Sequence, residues 1–423
     1  MSKQEIVGSI DIGSSQVVCV IGRLSEKGII EVLGAGRAES PKGIKNGIIR
    51  DINEASAAIK NAVEEAEEKS EQVLRNLYVA LRGSHLEART GHGTLAISRT
   101  DKEITEEDVE IVIENARMNV RISPDKEIIH TIPKSYTVNS QDGIINPVGM
   151  DGTHLETDVV VITASSDHLN NIQKAIARAG FEVIEFVYGI LSLGESVVTQ
   201  DEKELGCLLI DIGGLSTGIV LYQNNSLLTS TEIEIGSDSI TKDLAHYLKT
   251  TSRTASDIKE KYGVALKKAL KADEAQQKIT YVGLDNKSVR EVKRQELAAP
   301  IEHRLDQIVS FISDAVGKVG YPQELFAGGA IIAGGGSMLK HIDRAIEEWL
   351  KIDARLGIVS DVEGDESTVS NPTYHTAISL LKYHFGLDSS GSRPVQSAKN
   401  LRQRGGKGKG IFQSISRWFD DTF

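Results

Sequence analysis

Two short stretches of this 423-residue chain join an aspartate to a turn rich in glycine and hydroxyls. Asp11 and Ile12 lead into Gly13, Ser14, Ser15 and Gln16, while Asp211 and Ile212 lead into Gly213, Gly214, Leu215, Ser216 and Thr217. Backbone N–H groups in such turns, helped by hydroxyls, suit the negative oxygens of a triphosphate. Asp11 and Asp211 end their strands where both can face one Mg2+ through its retained waters. A third loop, Gly334, Gly335, Gly336 and Ser337, follows the apolar run 330–333 and precedes a helix, so backbone can approach a flat or anionic ligand there. It has neither the Gly-x-Gly-x-x-Gly spacing nor the lysine of a P-loop, which excludes the dinucleotide and Walker patterns.

The elements that carry these turns repeat. Ile-Asp-Ile-Gly occurs at 10–13 and again at 210–213, each time between two strand-like runs, so each copy predicts a β-hairpin. One such hairpin is a common loop; two at this distance predict a duplicated fold whose halves each offer a turn to a shared cleft. An amphipathic helix is predicted over 53–71, with Ile59, Ala62, Val63 and Ala66 on one face. From about Gly83 to Thr163 the character changes to an inserted α+β module, in which Thr105 and Asp108 predict a capped helix running to about Asn119. A helix closed by Gly180 and the strand FEVIEFV resume a β–α–β alternation, which indicates an α/β architecture. After the second hairpin, helices are predicted at 238–249, 254–262 and 302–318, bracketing a polar strand pair, and a last helix at 374–384.

Composition narrows the function classes. Hydrophobic residues at 40% and charged residues at 26% are ordinary for a globular protein, and the length predicts two to four domains. A formal charge of −12 argues against nucleic acid as a partner, because phosphate neutralisation needs basic surface. The two cysteines, Cys19 and Cys207, lie in apolar strand-like runs, which excludes a disulfide scaffold and predicts a reducing, cytoplasmic compartment. No signal segment and no membrane-spanning run are expected.

The C-terminal stretch departs from the rest. Residues 389–410 are rich in Gly, Ser and Gln and contain six basic and no acidic residues, a flexible basic linker. In 411–423, Ile411, Phe412, Ile415, Trp418 and Phe419 share one helical face, with Arg417 among the polar residues opposite. The pattern fits a helix lying on anionic lipid, or one docked on the protein's own body. Residues 389–423 carry seven basic and two acidic side chains, a net +5 that leaves −17 on the rest, so only the tail is drawn to an anionic membrane. Five large apolar side chains give a gross burial gain of roughly 10 kcal/mol. Ordering so short a helix removes much of that, so one tail binds reversibly and an array of tails holds.

The order of two phosphate turns and a third glycine loop resembles the actin–hexokinase–Hsp70 superfamily. More narrowly, GIKNGIIRDI at 43–52, GSHLEA at 83–88, EIGSDSITKDLA at 234–245, ASDIKEKYG at 255–263 and IIAGGGSMLKHI at 331–342 resemble the FtsA family of bacterial actin homologues, with the related pilus-assembly actin homologues as the alternative family. The resemblance implies an actin-like duplicated two-domain ATPase fold with an inserted α+β subdomain at 84–163. The first domain core would take 1–83 and 164–205, and the second 206–244 and 328–388. A second inserted subdomain would span 245–327, followed by the linker 389–410 and the membrane helix 411–423. It implies ATP with Mg2+, head-to-tail protofilaments, membrane attachment by the tail at the division site, and other division proteins as partners. Carried over by motif, Gly13, Ser14, Ser15 and Gln16 meet the phosphates from one side and Gly213, Gly214, Leu215 and Ser216 from the other. Gly334, Gly335, Gly336 and Ser337 lie along the adenosine, with Gly236 and Lys242 near ribose and base; Lys242 reads equally as a solvated helix lysine.

Two departures bear on mechanism. The second turn reads Gly-Gly-Leu, and Gly218 stands where a carboxylate is frequent. The position that supplies a water-orienting glutamine or glutamate falls on about Val187 or Tyr188, neither of which can do so; Glu185 reads as a solvated carboxylate. The expectation is tight ATP binding with slow or negligible hydrolysis, and no catalytic residue is nominated. For the partner, the resemblance implies that the second insertion receives the acidic C-terminal peptide of FtsZ, with Lys293, Arg294 and Arg304 as candidate cations that read equally as solvated. A soluble actin-superfamily phosphotransferase is the alternative class, but no carboxylate base can be named for it.

Overall fold

In the computed structural model, which describes residues 5–40, 43–285, 287–318, 320 and 326–386, strands β1 (Ile6–Ile12), β2 (Gln16–Leu24) and β3 (Ile30–Glu39) form an antiparallel meander. β1 and β2 are buried almost throughout rather than on alternate residues, as strands covered on both faces must be. A small ladder, β4 (Ile44–Lys45) with β5 (Ile48–Ile49), precedes α1 (Ile52–Ser70). Asp51 fixes where α1 starts, its carboxylate accepting from the N–H groups of Asn53 at 2.8 Å and Glu54 at 3.1 Å. The helix buries Ala55, Ile59, Ala62, Val63 and Ala66, and β6 (Asn76–Leu81) then returns parallel to β1 with Ala80 beside Asp11.

The predicted insertion follows. β7 (Glu87–Ala96), α2 (Glu106–Met118), β8 (Lys126–Val138), β9 (Gln141–Ile144) and β10 (His154–Ser165) make a four-stranded antiparallel sheet in the order β7-β10-β8-β9. It has its own cores around Ile104, Val112 and Leu155, and around Ala116, Val159 and Val161. The Thr105–Asp108 capping box starts α2 as expected. The chain re-enters the first body through α3 (Ser166–Ala179), closed by Gly180, and β11 (Glu182–Tyr188), parallel to β6. α4 (Gly189–Val197) and α5 (Gln200–Leu205) then lead to the second body.

There β12 (Cys207–Ile212), β13 (Thr217–Gln223) and β14 (Ser226–Ile233) repeat the opening meander. α6 (Ser237–Leu248) and α7 (Ser252–Tyr262) lead through α8 (Ala272–Gln276) to the hairpin β15 (Lys278–Val282) and β16 (Val289–Lys293) and to α9 (Arg294–Lys318). β17 (Ala330–Ala333), α10 (Ile342–Leu350) and β18 (Ala354–Leu356) complete the second sheet. The chain ends its described part on the first body, with β19 (Val362–Glu363) pairing β3, then α11 (Glu366–Val369) and α12 (Pro372–Phe385).

The sheets run β19-β3-β2-β1-β6-β11 and β14-β13-β12-β17-β18, and apart from the short edge strand β19 they match strand for strand. In each, an antiparallel meander is extended by parallel strands from its first member, which establishes the duplicated α/β fold. One expected boundary moves. The helix predicted from Glu302 begins at Arg294 and runs through Pro300, because Leu297, Ile301, Leu305, Ile308 and Ile312 bury one continuous face that outweighs the lost backbone bond. The basic linker and the amphipathic tail lie outside the described residues, and among those described no helix is long and apolar enough to cross a membrane.

Asp51→Ala removes both cap bonds from α1 and is expected to cost about 1 kcal/mol. Thermal melts should place Asp51→Ala below the unmodified chain and Asp51→Asn close to it.

Candidate functional site

The two predicted turns have the same geometry. Gly13 N–H donates to Gln16 C=O at 3.0 Å, and Gly213 N–H to Ser216 C=O at 2.9 Å. The backbone N–H groups of Ser14, Ser15, Gly214, Leu215 and Ser216 have no acceptor among the described residues. Such unpaired donors in tight turns form a concavity suited to an anion. Ser14 is held through its hydroxyl, which accepts from Asn46 N–H at 2.9 Å, and Ser40 ties the turn down through Gly13 C=O and Ser15 C=O. Gln16 is the first residue of β2 and pairs Glu39.

The turns come from different bodies and touch. Ser15 Oγ donates to Asp238 Oδ2 at 3.1 Å across 223 residues of chain. A Cβ on Gly214 would lie 1.9 Å from Ser15 Oγ, so only glycine allows this approach. Behind the second turn the start of α6 acts as a brace, Ser237 N–H bonding Gly213 C=O at 2.9 Å and Asp238 N–H bonding Gly214 C=O at 2.8 Å. A Cβ on Gly236 would meet those same carbonyls at 2.6 and 2.5 Å, so this glycine packs under the second turn. Lys242 is exposed farther along α6.

The third loop is built onto the same strand end. Gly334 takes φ +77°, and Ser337 closes a 3-10 turn by bonding Gly334 C=O through both N–H and hydroxyl. A Cβ on Gly334 would fall 2.2 Å from Asp211 Oδ1, and one on Gly336 2.4 Å from Ile212 Cγ2, whereas Gly335 faces open space. The loop, Asp211 and the second turn are therefore one packed unit, with Gly335 as the part free to meet a ligand.

Asp11 and Asp211 are brought together as expected, 6% and 4% exposed, but what lies between them is the guanidinium of Arg82. Arg82 follows β6, whose parallel pairing brings it to the end of β1. Its Nε donates to Asp11 Oδ1 at 2.7 Å, its Nη2 to Asp11 Oδ2 at 2.8 Å and to Thr376 Oγ1 at 2.8 Å, and its Nη1 lies 3.2 Å from Asp211 Oδ2. Burial opposes charge on Arg82, but the two aspartates beside it hold its pKa above the ordinary value. Burial raises the Asp11 carboxyl against the pull of Arg82. The expected water-bridged Mg2+ between these aspartates therefore does not fit the residues present, since three of the four carboxylate oxygens already face a resident cation.

The next two residues also cross to the second body. Gly83 N–H donates to Glu232 Oε2 at 2.8 Å and Ser84 Oγ to Glu234 Oε1 at 2.5 Å. Arg82, Gly83, Ser84, Glu232, Asp238 and Thr376 were not among the sequence candidates. The one signal for Arg82 was its place just before the glycine that opens the insertion.

Other expectations resolve individually. Val187 and Tyr188 are buried, with Tyr188 Oη accepting from Ser230 Oγ at 3.0 Å. Glu185 is not a solvated carboxylate: it accepts from Tyr383 Oη at 3.0 Å. Arg294, nominated for docking, is buried, bonding Tyr262 C=O at 3.0 Å and Glu274 at 3.1 Å, because α9 starts at this residue and turns it inward. Arg304 forms a bidentate pair with Asp243 at 2.6 and 2.8 Å, and Lys293 donates to Gln276 at 2.9 Å. Ile411, Phe412, Ile415, Arg417, Trp418 and Phe419 lie outside the described residues.

Comparison with known proteins gives a consistent picture. Residues 208–379 match the family described as "Cell division protein FtsA", and residues 83–163 match "SHS2 domain inserted in FTSA". The chain is similar to cell division protein FtsA of Pseudomonas aeruginosa, at 32% identity over 422 residues, covering 100% of this chain and 99% of that protein. Among solved structures it resembles the PilM–PilN type IV pilus biogenesis complex (TM-score 0.62, 14% identity, 90% and 98% of the two chains). It also resembles MreB5 of Spiroplasma citri bound to ADP (0.52, 12%, 89% and 95%) and the MamK double helical filament (0.51, 10%, 90% and 99%). At these identities the structures establish the fold, which is actin-like.

Burial pushes the Glu232 carboxyl up to about 7, against the Gly83 N–H and Arg82, which lower it. A carboxyl raised on folding contributes stability that is fully present at low pH and is lost as pH rises through the folded value. Melting temperature from pH 5 to pH 8 should therefore fall more steeply for the unmodified chain than for Glu232→Gln. Parallel curves would show that Glu232 titrates ordinarily.

Proposed function

The chain belongs to the FtsA family of cell division proteins, and from that premise we propose that it is an ATP-binding, polymerising adaptor on the cytoplasmic face of the membrane at the division site. The observation that supports the reading is the pair of matching turns, one from each body, which meet at Ser15 and Gly214 and whose N–H groups have no acceptor among the described residues. ATP enters with its phosphates between Gly13–Gln16 and Gly213–Ser216 and its adenosine toward Gly335. The ADP carried by the MreB5 structure supports a nucleotide in this fold.

Turnover is slow on this reading. Positions 187 and 188, where the attacking water is oriented in the superfamily, carry Val187 and Tyr188, one apolar and the other engaged by Ser230. Nucleotide then acts as a structural element that joins the two bodies, and the joined form assembles head to tail; the MamK filament supports such assembly for this fold. Each subunit adds one tail, 411–423, on a basic linker, and many weak tails hold an array to anionic lipid. The second insertion receives the acidic C-terminal peptide of FtsZ and so tethers its filaments, with the half-buried Lys293 and Arg304 as candidate cations and Arg294 as an internal strut. Other division proteins gather on the assembled array.

Co-sedimentation with anionic liposomes tests the coupling. The full chain is expected to pellet more strongly with Mg-ATP, and a chain ending at Gly410 is expected to stay in solution under all conditions. Equal behaviour of the two chains would remove the membrane anchor, and pelleting indifferent to nucleotide would remove its link to assembly.

A further inference from the structure

We propose that Arg82 is the resident cation of the nucleotide site, so that binding of the triphosphate depends only weakly on a divalent metal. The inference rests on the reading that a triphosphate occupies the two turns. It starts from charge. Two carboxylates buried at the floor of a cleft repel an incoming polyanion, and a buried charge requires a partner of opposite sign. A metal bridging both carboxylates is one solution, and a guanidinium with donors in a fixed planar fork is another.

The geometry selects the second. Arg82 covers both oxygens of Asp11 and one of Asp211, and Thr376 Oγ1 fixes the remaining edge of the fork. The fourth oxygen, Asp211 Oδ1, has no hydrogen-bond partner among the described residues and lies close against the Gly334 backbone, where an added Cβ would come within 2.2 Å. Mg2+ keeps an octahedral shell of waters and gives them up reluctantly, and the volume such a shell needs is filled by the guanidinium. The Arg82 side chain is 17% exposed, so its charge is little screened. Its Nη1 lies 3.7 Å from where a Gly213 Cβ would be, directly beneath the second turn. Beneath that turn the guanidinium therefore offsets one of the two carboxylate charges that would repel an anion, at a point fed by both bodies, since Asp11 belongs to one and Asp211 to the other.

The test is titration of the purified full-length chain with a fluorescent ATP analogue in excess Mg2+ and in excess EDTA, for the unmodified protein, Arg82→Lys and Arg82→Gln. The unmodified chain is expected to bind in both buffers with affinities within about threefold. Arg82→Gln is expected to lose at least about tenfold in EDTA, equivalent to ~1.4 kcal/mol, and to regain much of it in Mg2+, because the freed aspartates then accept the metal. Arg82→Lys keeps a charge without the fork and should fall between. A loss of more than tenfold by the unmodified chain on moving to EDTA overturns the proposal, and this result does not depend on any variant folding. Equal metal dependence in the unmodified chain and Arg82→Gln also overturns it. Absence of binding by the unmodified chain in both buffers instead removes the nucleotide reading, and the proposal with it.

Discussion

Two buried carboxylates, one from each half of the chain, share a single guanidinium, and the cleft is organised around keeping these charges in register. Removing one member of a buried ionic cluster strands the others in low dielectric, at about 3–5 kcal/mol. The cluster therefore constrains everything that positions it. β1 and β12 must end level with each other, β6 must run parallel to β1 so that Arg82 emerges beside Asp11, and α12 must bring Thr376 to the same point. Because Asp11 and Asp211 lie on separate sheets, the same three charges also join the two bodies. Gly83 and Ser84 extend that junction to Glu232 and Glu234.

This arrangement suits a protein whose ligand is part of its architecture. The two turns close on each other through Ser15 and Asp238, with no bulk between them because Gly214 has no side chain. On the proposed function, an anion between the turns would exchange that contact for N–H groups from both bodies at once, so its binding energy would go into the joint between them. Turnover would undo that joint, and on the same reading the buried Val187 and Tyr188 would give an attacking water nothing to orient it. On the proposed function, an acidic body with a basic tail would separate the roles of assembly and lipid attachment along the chain.

The paired turns were legible because their chemistry is local. An aspartate, glycines and hydroxyls within six residues, repeated with an identical tetrapeptide, declare a hairpin and its duplicate before any long-range contact is known. The inserted module was legible for the same reason, through its capping box and strand pattern. Arg82 was not, because its role is set by partners 71 residues before it and 294 after, and nothing beside it marks it as more than a surface arginine. The packing of Gly236 was not legible either, since the carbonyls that crowd it belong to the turn more than twenty residues earlier. Arg294 was a docking candidate only through the family resemblance, and the expected helix start at Glu302 left it outside the helix. Burial of the Leu297–Ile312 face carries α9 through the proline and folds that arginine inward. Glu185 was similarly unreadable, since Tyr383 reaches it from 198 residues away.

Hydrogen–deuterium exchange at the amides of Ser14, Ser15, Gly214, Leu215 and Ser216, with and without ATP and below the concentration at which the chain assembles, tests the central claim most directly. These N–H groups have no acceptor among the described residues, so their exchange should be fast without nucleotide and should slow in both turns together when ATP is added. Unchanged exchange, or slowing confined to one turn, would contradict a triphosphate held between the two bodies.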